Sequence, residues 1–134
     1  MTGPATPSIG NVLVIDDDRF LLDTYVMKFQ RAGFNVHASL SAADGLQALR
    51  DGFPADAVLF SMGMRECDGY AILQKLKDEK LAERAAKIAL SNDVTENDTT
   101  KAGDLGAARC IAKATTMPSE VVDCAREEIA KLKR

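Results

Sequence analysis

Three consecutive carboxylates, Asp16, Asp17 and Asp18, follow the apolar run "VLVI", and a single lysine, Lys113, follows "RCIA". Adjacent carboxylates repel, so where a fold makes them converge they are stabilised by a hard cation such as Mg²⁺ or by a nearby ammonium. Lys113 is a candidate for that ammonium. Two hydroxyls occupy comparable places: Ser61 behind "DAVLF", and Ser91, next to Asn92, at the end of "KIALS". Residue type alone leaves two readings of the acids, a cation site or a solvated turn, and a lone lysine is most often a solvated charge. A serine nucleophile needs an adjacent base. The one histidine, His37, is distant in sequence, and "LFSMG" lacks the glycine before serine of a G-x-S-x-G elbow, which argues against a small hydrolase built on Ser61.

The runs that end in these residues, "NVLVI", "FNVHAS", "DAVLF", "KIALS" and "RCIA", are too short for helices and rich in Val and Ile, so they read as five strands. Their nearly continuous apolar character is that of parallel strands covered on both faces. Between them, apolar residues recur at helical spacing: Leu22, Tyr25, Val26 and Phe29, then Ala42, Leu46 and Leu49, then Gly69, Ile72, Leu73 and Leu76. A last helix, starting near Pro118, carries Val122, Ala125, Ile129 and Leu132. The fourth inter-strand segment, "VTENDTTKAGDLG", has only Val94, Ala102 and Leu105 as apolar positions and is expected to be short or mobile. Strict alternation of strand and helix implies right-handed crossovers and a parallel α/β sheet. Such sheets bind ligands at the carboxyl ends of their strands, where Asp16, Asp17, Ser61, Ser91 and Lys113 all lie.

At 134 residues, 46% apolar and 28% charged, the chain fits one soluble globular domain. Residues 1–10 read as a flexible leader and 11–134 as the domain. The net charge is −3 and no Lys/Arg stripe is present apart from the closing "KLKR", which argues against direct nucleic-acid binding. No targeting pattern or long apolar run is evident, so no membrane partner and a cytoplasmic location are expected. Cys67, Cys110 and Cys124 are odd in number and lack C-x-x-C spacing, as free thiols in a reducing compartment would be. Alternation places His37 with Asn35 and Ser39 on the surface of the second strand, opposite Phe34, Val36 and Ala38.

From Asn11 onward the chain resembles the receiver domain of two-component response regulators. That resemblance implies a flavodoxin-like (βα)5 doubly wound sheet with strand order 2-1-3-4-5. In the family an acidic pair follows strand one, a phosphate-accepting Asp follows strand three, a Thr or Ser follows strand four, and a Lys-Pro pair follows strand five. "VLVIDDD" supplies Asp16 and Asp17, Ser91 matches the hydroxyl, Lys113 matches the lysine, and Asp68-Gly69 and Gly106-Ala107 are kept. Asp17 to Ser61 is 44 residues, Ser61 to Ser91 is 30 and Ser91 to Lys113 is 22, so the register is ungapped. Ser61 therefore stands at the phosphoacceptor position. Arg65 replaces a usual Pro, Ala114 replaces the Pro after the lysine, and Cys110 replaces an aromatic switch residue.

In the family the aspartate attacks a phosphohistidine, with Mg²⁺ bridging the acids and a backbone carbonyl that here belongs to Gly63. Ser61 is a weaker nucleophile and brings no charge. Counting Lys113, the formal charge of the cluster falls from −2 to −1, which weakens Mg²⁺ binding. Lys113 is then free to pair with Asp16 or Asp17 and hold the pocket in one state. The expectation is an atypical receiver, or pseudo-receiver, that is not an enzyme and is not phosphorylated on aspartate. It would act as an interaction module for a histidine kinase, a phosphotransfer protein or an output partner. Contact is expected through helix one or the helix four, strand five, helix five face, with a homodimer as a further option. The alternative is a phosphotransfer-competent receiver whose acceptor Asp was replaced by Ser61 in the laboratory.

Overall fold

The computed structural model describes residues 9–92 and 96–132, so most of the leader, Val94 and the end of "KLKR" lie outside the described residues. The apolar runs form β1 (Asn11–Ile15), β2 (Asn35–Ser39), β3 (Ala57–Ser61), β4 (Ala86–Ser91) and β5 (Arg109–Ala112). They alternate with α1 (Arg19–Arg31), α2 (Ala42–Arg50), α3 (Gly69–Asp78), α4 (Glu96–Asp104) and α5 (Pro118–Leu132). All neighbouring strands pair in parallel in the order β2-β1-β3-β4-β5, which is the flavodoxin-like doubly wound arrangement. The chain leaves β1 toward β2 and then returns to its other side for β3, so the order reverses at β1. A crevice therefore opens outside the carboxyl ends of β1 and β3.

The period-two alternation of a strand survives inside runs that look uniformly apolar. Val12 and Val14 point into one core with Leu22, Tyr25 and Phe29 of α1 and Val122 and Ala125 of α5. Leu13 and Ile15 point the other way, against Leu46, Ile72, Leu73 and Ala102. Burying each large side chain of these layers contributes about 1.5–3 kcal/mol. Acidic and hydroxyl residues begin the helices as caps: Asp18 accepts from the Leu21 N–H, Ser41 from Asp44 and Asp68 from Ala71. The third acid of "DDD" is thus a helix start as well as part of the crevice wall.

Several expectations need correction. Ser61 is the last residue of β3, opposite Leu90, because the ladder continues until the Met62 N–H bonds the Leu90 carbonyl at 2.8 Å. Ser91 ends β4, as the run "KIALS" suggests. In the edge strand β2 the alternation misleads: Ser39 is buried and Ala38 exposed, while His37 is half-buried with its ring 5.6 Å from that of Phe53. Leu132 is 54% exposed, past the point where α5 rests on the sheet. α4 is short, as expected, at nine residues like α2, and it is anchored by the fully buried Ala102. It ends at Asp104, and two residues on Gly106 has a φ of +106°, a left-handed conformation that glycine adopts without strain, in the turn that leads to β5.

Candidate functional site

At the crevice, Asp16 is fully buried at the end of β1, while Asp17, one residue on, is exposed. The Asp16 backbone N–H bonds the Ser39 carbonyl at 3.1 Å, and one carboxylate oxygen accepts the Asp18 N–H at 2.9 Å. The other oxygen accepts from Lys113 Nζ at 2.8 Å. The same ammonium donates to Ser61 Oγ at 2.9 Å. Lys113 reaches this point because its own N–H bonds the Ser91 carbonyl at 2.7 Å, tying the turn after β5 to the end of β4. The ends of β1 and β3 therefore meet on one part-buried ammonium, while the lysine's backbone ties the end of β5 to that of β4.

Around this bridge lies a cleft of about 420 Å³ whose lining includes Asp16, Asp17, Ser61, Gly63, Ser91 and Lys113. Every position singled out for the acids, the hydroxyls, the metal-facing carbonyl and the lysine is thus brought together. Two are not placed as a matched pair: Asp17 faces solvent, where its carboxylate accepts a 3.4 Å contact from the Arg65 N–H, and only Asp16 holds Lys113. Behind the cleft, Gly69 is buried at the start of α3, and its N–H bonds the Met62 carbonyl at 3.1 Å. A Cβ there would run into the Met62 Sδ and lie 3.0 Å from its Cα. Asp68-Gly69 therefore sets the loop that follows Ser61.

The oxygens a hard cation would use, the Asp16 and Asp17 carboxylates and the Gly63 carbonyl, belong to residues that line the cleft. Among the described residues no cluster of three or more His, Cys, Asp or Glu side chains is placed to hold a metal. Mg²⁺ demands near-octahedral oxygen ligation, and here one of the two carboxylates is already neutralised at 2.8 Å.

The chain's residues 12–123 match the family model of the response regulator receiver domain. The chain belongs to the response regulator receiver domain family. The receiver is 30% identical over 112 residues to the response regulator SaeR of Staphylococcus epidermidis, covering 84% of this chain and 47% of that protein. It is 29% identical over 110 residues to hybrid signal transduction histidine kinase L of Dictyostelium discoideum, covering 78% of this chain and 6% of that protein. The receiver thus spans less than half the length of either relative. Among solved structures, a CheY-like receiver domain protein from Methanospirillum hungatei superposes with a TM-score of 0.84 at 21% identity, covering 94% of this chain and 98% of that one. A receiver domain from Clostridium thermocellum gives 0.82 at 22% identity, over 93% and 98% of the two chains.

Other features of this receiver carry no sequence signal. The Tyr70 hydroxyl donates to Asp98 at 2.8 Å, and Lys101 Nζ sits 4.3 Å from the Tyr70 ring centroid. The hydrogen bond to Asp98, followed by burial and the Asp98 charge, pushes the Tyr70 hydroxyl up to about 12. Glu66 accepts from the Ala42 N–H at 2.7 Å, and Arg50 grips Glu79 through two 2.7 Å bonds between α2 and α3. All three cysteines are unpaired and only partly exposed, and burial is the chief cause raising each thiol's pKa. No helix among the described residues is long and apolar enough to cross a membrane.

Proposed function

We propose that this domain is a pseudo-receiver: a protein-interaction module of two-component signalling, held in one state and not phosphorylated on aspartate. The observation that carries this reading is the Lys113 ammonium, shared between Asp16 at 2.8 Å and Ser61 at 2.9 Å. A receiver's lysine grips an incoming phosphoryl group. Here two of its three N–H donors are directed at the pocket itself, and the residue at the acceptor position is a neutral hydroxyl that accepts from the lysine rather than donating to a base. Mg²⁺ binding is weakened in the same way, because a cation at Asp16, Asp17 and the Gly63 carbonyl would compete with Lys113 for Asp16. The domain has no enzymatic turnover in this reading and works in the cytoplasm.

Partners are a histidine kinase, a phosphotransfer protein or an output protein, in keeping with the kinds of protein its relatives are. The apolar stripe of α1 is spent on the core, so contact through α1 falls to Phe20 and Met27, which are 79% and 44% exposed. The α4, β5 and α5 face is the other candidate, for a partner or for a second copy of the chain. Beryllofluoride with Mg²⁺ tests the reading. Amide NMR spectra of the receiver should not change on its addition, and a concerted change across Ser61, Ser91 and Lys113 would overturn it. The same addition to a Ser61→Asp variant separates a site that has lost only its acceptor, which responds, from one degraded more widely, which does not.

A further inference from the structure

Of the five helices, α4 has the weakest apolar hold on the sheet. Its sequence "ENDTTKAGD" contains few strong helix formers, and among its described side chains only Ala102 is buried. Every other helix buries at least three residues. Polar contacts supply what burial does not. Tyr70 of α3 donates its hydroxyl to Asp98 at 2.8 Å, a charge-assisted bond, and its ring centroid lies 4.3 Å from Lys101 Nζ. Asp98 and Lys101 are three residues apart and share a face of the helix, so one side chain grips α4 at both. Thr99, hydrogen-bonded with the Cys110 thiol, ties the same turn to β5. Behind this grip the packing is open. A cavity of about 200 Å³ is lined by Met62, Tyr70, Ser91, Asp98 and Cys110, among others. Protein interiors hold few spaces of that size, so a helix beside one has room to move. Met62 and Ser91 also line the cleft, which makes them a wall common to both spaces.

We propose that Tyr70 is a latch that sets the position of α4. With its bond to Asp98 made, α4 stands beside the cavity; with that bond broken, α4 moves toward the cavity and the surface formed by α4, β5 and α5 changes shape. The ring that governs α4 therefore comes from α3, while β5 offers only Cys110 at the cavity. A partner that engages Asp98 or the exposed Lys101 works this latch with no phosphoryl group. The inference rests on the contacts of Tyr70 and holds whichever way Ser61 behaves.

Amide hydrogen exchange of the full chain, read by NMR, tests the latch. Tyr70→Phe keeps the ring against Lys101 and removes only the bond to Asp98. Amides from Thr100 to Asp104 should then exchange about tenfold faster, as the loss of one hydrogen bond to a charged group implies, while those of α1 and α2 keep their rates. The amide shifts of Met62, Ser91 and Cys110, around the cavity, should move in the same variant. Asp98→Ala should also speed exchange in α4, and adding Tyr70→Phe to it should change nothing further, because the bond is already gone. If Asp98→Ala fails to fold, Tyr70→Phe decides alone. Unchanged exchange in α4, an equal acceleration in every helix, or unmoved shifts around the cavity in Tyr70→Phe overturns the proposal.

Discussion

Lys113 carries the charge balance of the cleft, and its removal has a definite sign. Asp16 is fully buried and its ammonium partner is only 9% exposed, so Lys113→Met leaves a carboxylate without compensation. The variant should be destabilised by about 2–4 kcal/mol in denaturant titrations, below a fully enclosed pair because the cleft admits water. The two tyrosines give a pH prediction. Tyr25 is raised chiefly by burial, and Tyr70 to about 12 chiefly by its hydrogen bond to Asp98. A neutral phenol held in the folded state contributes stability that is present below the unfolded pKa of 10.0 and is lost as pH rises through the folded value of about 12. Ultraviolet titration of the folded chain should therefore show Tyr70 ionising near 12 and Tyr25 later than an unfolded tyrosine, and Tyr70→Phe should lessen the alkaline loss of stability. At this scale the sequence was legible where spacing fixes register: Asp16, Ser61, Ser91 and Lys113 converge as their places at strand ends imply. It was silent on Tyr70 and Asp98, which are 28 residues apart and belong to no periodic pattern.

Elements were readable where an apolar period is long and both faces are covered. β1 and β5 have the bounds their runs suggest, and the stripes of α2 and α3 are buried as their spacing requires. The misses share one cause: alternation predicts which face a residue takes, but not whether anything covers that face. β2 lies at the sheet edge, so its Ala38 faces solvent while Ser39 lies beneath α2. Leu132 falls beyond the sheet. The turn into α3 is a tighter constraint than its Asp-Gly composition conveys. Gly69→Ala would drive a methyl into Met62 and should cost about 1–3 kcal/mol despite alanine's better helix propensity. Thermal unfolding should show a lower midpoint, with NMR shifts centred on Met62 and Ser61.

For the molecule as a whole, the receiver scaffold is intact, and the proposed function places the change in the chemistry of its carboxyl-end crevice. Five strands in order, both core layers and the convergence on Lys113 are kept, and the acceptor carboxylate is the part replaced. In the proposed reading the Lys113 ammonium, bonded to Asp16 and Ser61, takes the place of the bond that a phosphoryl group would make. The most direct test of this account is the intact mass of the unsubstituted chain after incubation with acetyl phosphate and Mg²⁺, with Ser61→Asp treated alongside. The account predicts no added phosphoryl group on the unsubstituted chain, however the variant behaves. A phosphoryl adduct on that chain, mapped to Ser61 or to either acid of the pair, would contradict it.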